Sequence, residues 1–135
     1  MNKKLAMTAL ALAMFGGMSA YAVAQIADDT LTNERPPKSA MEAGEAAYLA
    51  NCAACHQPNG QGLAGAFPPL AKSDYLAAMS KDKLIDSVLQ GISGKITVNG
   101  VDYDNLMPPM AHLSDEDIAH ALTYVTNSWG NNGGP

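Results

Sequence analysis

The chain has 135 residues, room for one ordinary domain. Hydrophobic residues make up 47% of it and charged residues 16%, which excludes a disordered polyelectrolyte, and a formal charge of -5 excludes nucleic acid as the main partner. Twelve Gly and eight Pro mark a loop-rich chain, and two Phe and one Trp leave little aromatic material for a core.

Part of the apolar content belongs to targeting. Lys3 and Lys4 precede an apolar run over residues 5–15, and Ala20-Tyr21-Ala22 and Ala22-Val23-Ala24 are overlapping A-x-A cleavage sites. Residues 1–24 therefore read as a signal peptide, which places the mature protein in the periplasm. If retained, residues 5–24 would meet the ~20 apolar positions a membrane span needs, so membrane attachment is expected only for an uncleaved chain. Loss of Lys3 and Lys4 leaves six basic against thirteen acidic residues, a charge of -7. Residues 25–38 are polar and aperiodic and end in Arg35-Pro36-Pro37, a flexible linker.

The domain proper is expected over residues 39–130. Ser39-Ala40-Met41-Glu42 has the S-x-x-E form of a capping box and predicts an Ala-rich helix from Ala40 to about Asn51. Gly44 inside it costs ~1 kcal/mol relative to Ala, which calls for a close packing partner. Residues 59–69 form a Gly- and Pro-rich loop. Ser73 caps a short helix reaching Met79, and a further helix from Lys81 to about Gln90 carries Leu84, Ile85, Val88, Leu89 and Ile92 on one stripe. Asn99-Gly100 lies between β-branched runs and predicts a small hairpin, because both turn residues need positive φ. Pro108 and Pro109 stop regular structure. Ser114 caps a last helix with Asp115, Glu116 and Asp117 in its first turn and an apolar stripe of Ile118, Ala121, Leu122, Val125 and Trp129. Residues 131–135 are expected to fray as a flexible tail.

The two cysteines sit in Cys52-Ala53-Ala54-Cys55-His56. C-x-x-C-H is the attachment motif of c-type haem: two thiols at the spacing of the two haem vinyl groups, followed by an imidazole for the iron. The rivals fit worse. A thioredoxin-type pair needs a βαβ context that is missing, and a zinc site needs two further ligands, for which His112 and His120 have no finger spacing. A bare disulfide leaves His56 without a purpose. The second axial ligand comes from Met107, Met110 or His112. Met107 precedes Pro108, which favours an extended backbone, and two prolines stiffen the chain behind it. Met110 is the alternative thioether, and His112 would give bis-histidine iron.

From Ser39 to Trp129 the chain resembles a class I c-type cytochrome, similar to the cytochrome domains fused to some copper nitrite reductases and to cytochrome subunits of periplasmic dehydrogenases. The resemblance rests on the capped helix, C-x-x-C-H, Phe67-Pro68-Pro69-Leu70, Met107-Pro108-Pro109-Met110 and the closing Leu122–Val125 and Asn127–Trp129 patterns. It implies a mostly α cytochrome c fold of three to four helices around one covalently bound haem c, with the hairpin before the distal methionine. It implies attachment at Cys52 and Cys55, ligation by His56 and Met107, a Pro68 carbonyl receiving the other ring N–H of His56, and Phe67 and Leu70 packing on haem. Gly44 and Tyr48 match the positions where the first helix crosses the last near Tyr124; Ala121 departs from the pattern, since many relatives carry a larger aliphatic residue there. The function implied is one-electron transfer, without enzyme activity, between redox proteins such as a copper nitrite reductase, a terminal oxidase or a periplasmic dehydrogenase. A redox or gas sensor, or a peroxidase-like enzyme, would need a displaceable distal ligand, and no motif supports one.

Overall fold

The computed structural model describes residues 36–133. The expected signal peptide, residues 25–35 of the linker and the last two residues lie outside the described residues. Among the described residues the order is α1 (Lys38–Asn51), α2 (Ala53–His56), α3 (Asp74–Ala77), α4 (Lys81–Gln90), β1 (Ile96–Val98), β2 (Val101–Tyr103) and α5 (Asp115–Asn127). That is one helix more than the three to four expected. The extra one arises because Cys52, at φ -117°, interrupts the ladder after α1 and the next four residues close a turn of their own. No helix among the described residues is long and apolar enough to cross a membrane.

Three helices start where a serine can accept from the first turn. Ser73 Oγ accepts from Leu76 N, Ser80 Oγ from Lys83 N and Ser114 Oγ from Asp117 N. The capping box at Ser39 does not form. The helix begins two residues earlier, at Lys38, because the Pro37 carbonyl already accepts from Met41 N at 3.1 Å. Ser39 is thereby drawn into the first turn, and Glu42, which should have reached back to it, pairs with Lys38 at 3.4 Å. The hairpin forms as expected. Asn99 and Gly100 have φ of 51° and 79°, and Ile96 pairs with Tyr103 and Val98 with Val101. Its turn is fastened to α3 by a reciprocal pair: Asp74 N donates to Asn99 Oδ1, and Asn99 N donates to Asp74 Oδ1.

The core lies where α1 crosses α5. Gly44 is the reason the two approach so closely: a Cβ there would run into the His120 carbonyl and come within 2.7 Å of Tyr124 Cβ. The small Ala121, next in sequence to His120, is buried and lines the apolar cavity beside the crossing. Tyr48 is fully buried, and its ring meets those of Tyr124 and Trp129 with centroids 5.7 and 5.1 Å away. Trp129 does not extend the helical stripe. It follows the C-cap Ser128, takes φ 54°, and folds back onto the crossing. The chain after it is held rather than frayed as far as Gly133. Asn131 Nδ2 donates to the carbonyls of Leu70 and Val125, and Gly133 N donates to Thr126 O.

Candidate functional site

Beside this crossing lies an apolar cavity of about 160 Å³, walled by α2, the 66–70 loop, α4, the hairpin and the Met107 loop. Cys52, Cys55 and His56 line one side, and Met107 and Met110 also line it. Of the apolar stripe on α4, Leu84, Val88 and Ile92 line the cavity, whereas Ile85 is exposed. That helix has no buried residue of its own.

The cysteine–histidine segment is set by local backbone bonds. Cys52 N donates to Tyr48 O, closing α1, and His56 N donates to Cys52 O at 3.0 Å, which puts both thiols and the imidazole within one short turn. The chain reverses at Gln57 with φ 63°, a backbone region that disfavours a side chain. This turn is secured from the core, since the Tyr48 hydroxyl donates to the Gln57 carbonyl at 2.6 Å. Burial drives the Tyr48 phenol well above its ordinary pKa, so it stays protonated as a donor.

His56 Nδ1 lies 2.9 Å from the Pro68 carbonyl oxygen. A carbonyl only accepts, so the proton sits on Nδ1 and the Nε2 lone pair is left for a metal. Burial lowers the His56 pKa, with the Pro68 bond opposing it, and the imidazole is held neutral, the form that ligates. Gly62 makes this approach possible: its N–H donates to His56 O, and a Cβ there would stand 2.7 Å from the Pro68 carbonyl carbon. Phe67, Pro68 and Leu70 are half-buried on the cavity wall. The Cys52 and Cys55 thiols are free, and burial first, then the neighbouring Cys55, raises the Cys52 pKa.

Elsewhere on the cavity lining the backbone of Met107 is pinned to Ile92 by two hydrogen bonds, N to O at 3.0 Å and O from N at 3.1 Å. Met110 N donates to Val88 O. His112 is exposed and off the cavity wall, and His120 lies half-buried on α5 away from it. No three His, Cys, Asp or Glu side chains converge as a metal cluster among the described residues. The donor set therefore fits a flat apolar macrocycle bearing its own metal: apolar walls, two thiols for its edge, one oriented imidazole and thioethers facing it.

Residues 39–125 match the family model described as cytochrome C oxidase, cbb3-type, subunit III. The chain belongs to this family of c-type cytochromes. It is 44% identical over 92 residues to cytochrome c-552 of Thermus thermophilus, covering 66% of this chain and 70% of that one. It is 35% identical over 91 residues to the alcohol dehydrogenase (quinone) cytochrome c subunit of Gluconobacter oxydans, covering 67% of this chain but 19% of that subunit. Over 88 residues it is 33% identical to the cbb3-type cytochrome c oxidase subunit CcoP of Rubrivivax gelatinosus, covering 64% of this chain and 25% of the relative. This cytochrome is an electron-transfer protein with one covalent haem c, a carrier rather than an enzyme.

Two features of the site were not legible in the sequence. Leu106, at the cavity, and Leu63 are 66% and 53% exposed, and Asn105 Nδ2 donates to Ala66 O and joins their two loops. An unexplained Leu in a polar loop was the only signal. Asn131, read as tail, bonds residues about sixty positions away, and nothing local announces it.

Proposed function

We propose that this chain is a periplasmic carrier of single electrons whose haem is attached at Cys52 and Cys55 and whose iron is held between His56 and Met107. When bound, the haem supplies a one-electron couple at its iron. His56 offers Nε2 with its tautomer set by Pro68. Met107 offers a thioether from a backbone doubly bonded to Ile92 and stiffened by Pro108 and Pro109. A thioether in the sixth position raises the potential and leaves no place for substrate, which is what a carrier needs. Phe67 and Leu70 supply packing surface.

The observation that carries this reading is that one apolar cavity has an oriented histidine and a backbone-pinned methionine in its wall, while His112 is exposed. The partner is another redox protein: a terminal oxidase, a periplasmic dehydrogenase or a copper nitrite reductase. The names of the oxidase and dehydrogenase relatives support the first two. Docking is at the exposed apolar residues Leu63, Ala64 and Leu106 of the two loops that Asn105 joins, and the excess of acidic residues turns towards a basic or neutral partner. The ligand assignment is tested by single variants. Met107→Ala is expected to abolish the sulfur-to-iron charge-transfer band of the ferric protein and to open the iron to CO, whereas Met110→Ala keeps the band. The reverse pattern assigns Met110, and loss in neither assigns His112.

A further inference from the structure

Pro68, whose carbonyl orients His56, stands on a strip of chain that has few anchors of its own. Leu70 N and Ala71 N both donate to Gly60 O, so the strip is tied mainly to the loop it belongs to. Two anchors reach it from the end of α5. Trp129 covers Gly60 so closely that a Cβ there would fall within 2.7 Å of Trp129 Cζ3. Asn131 grips the strip on both sides of Ala71: its Oδ1 accepts from Lys72 N at 2.9 Å, and its Nδ2 donates to Leu70 O at 3.0 Å. The same Nδ2 donates to Val125 O at 2.8 Å, one of the last carbonyls of α5, which have no partner within the helix. One amide thus bridges the proximal wall and α5, the helix packed across α1 in the core, spanning 59 to 61 residues of sequence on the wall side.

We propose that Asn131 is a positioning residue for the proximal histidine: by clamping Leu70 and Lys72 to α5 it holds the Pro68 carbonyl against His56 Nδ1. This rests on His56 being the iron ligand. The consequence has a sign. A carbonyl held close to Nδ1–H makes the imidazole a stronger donor, which favours ferric iron and lowers the midpoint potential. Loosening the clamp weakens that bond and raises the potential.

The test uses the haem-loaded protein. Asn131→Asp is isosteric and keeps the acceptor for Lys72 N, but it turns an oxygen towards the carbonyls of Leu70 and Val125; Asn131→Ala removes all three bonds. Ser114→Ala is the control, since it removes the cap of α5 and some stability without touching the wall. Midpoint potential and exchange of the His56 Nδ1 proton, followed by NMR in the ferrous state, are read for each. Both Asn131 variants are expected to exchange that proton faster, and Asn131→Ala, which adds no charge, to shift the midpoint upward, with Ser114→Ala at the wild-type value. An unchanged midpoint in Asn131→Ala, or an equal shift in Ser114→Ala, overturns the clamp while leaving the ligation standing. A wild-type ferrous spectrum in which the His56 ring is not bound to iron overturns the ligation and the clamp together.

Discussion

At the crossing of α1 and α5, Tyr48 is 0% and Val125 4% exposed, and three aromatic rings meet within 6 Å of one another. On the methionine side, α3 and α4 have no buried residue, and Leu76, Leu84 and Val88 end at the cavity wall. The first region is closed by its own side chains. The second is shaped around a guest, with Val98 and Tyr103 of the hairpin buried in its wall. A chain with two Phe and one Trp can complete only one such core by itself, so the macrocycle stands in for the other.

The comparison is broken most forcefully by removing haem attachment. A residual cavity of 160 Å³ costs on the order of 4 kcal/mol at about 24 cal/mol per Å³, a large share of a small domain's stability. Cys52→Ala with Cys55→Ala, expressed with the maturation machinery, is expected to leave little folded protein. In what remains, amide exchange should lose protection in α4 and the hairpin before α1 and α5. A cooperative, well-folded apo-domain would contradict the two-region account. Gly44→Ala attacks the other region: its Cβ meets backbone rather than a movable side chain, so about 2–3 kcal/mol of stability should be lost. Chemical denaturation of the holoprotein measures this, and the haem spectrum of the folded fraction should stay unchanged. The smallest effect is expected at the joint between the regions. Tyr48→Phe removes the hydroxyl that holds Gln57, costing about 1 kcal/mol in the same assay with no change of ligation.

Legibility in the sequence followed range. Ser73 and Ser114, the Asn99-Gly100 turn and the α4 limits were readable because each is decided by bonds within four residues. The capping box failed over the same range, since Pro37 offered the ladder an earlier start. Trp129 was misplaced because a positive φ outside glycine leaves no periodic trace. Around the cavity, C-x-x-C-H announced its chemistry directly, and the Pro68 contact with His56 was foreseeable through family resemblance alone. The Ile92–Met107 bridge, the Asn105 bond to Ala66 and the Asn131 bonds to Leu70 and Lys72 join residues 15 to 61 positions apart, and composition carries no sign of such meetings.

The bridge between Ile92 and Met107 has one more consequence. A metal that gains or loses an electron changes the bond lengths it prefers, and any ligand that must travel in response adds to the reorganisation energy of the transfer. If His56 and Met107 hold the iron, as proposed, neither side chain springs from a free loop: one is held through its ring by Pro68, the other through its own backbone by two hydrogen bonds. Both would then stay within a frame set when the chain folded, with little travel between the two oxidation states. Its speed as a carrier is left to the distance and fit of its partner.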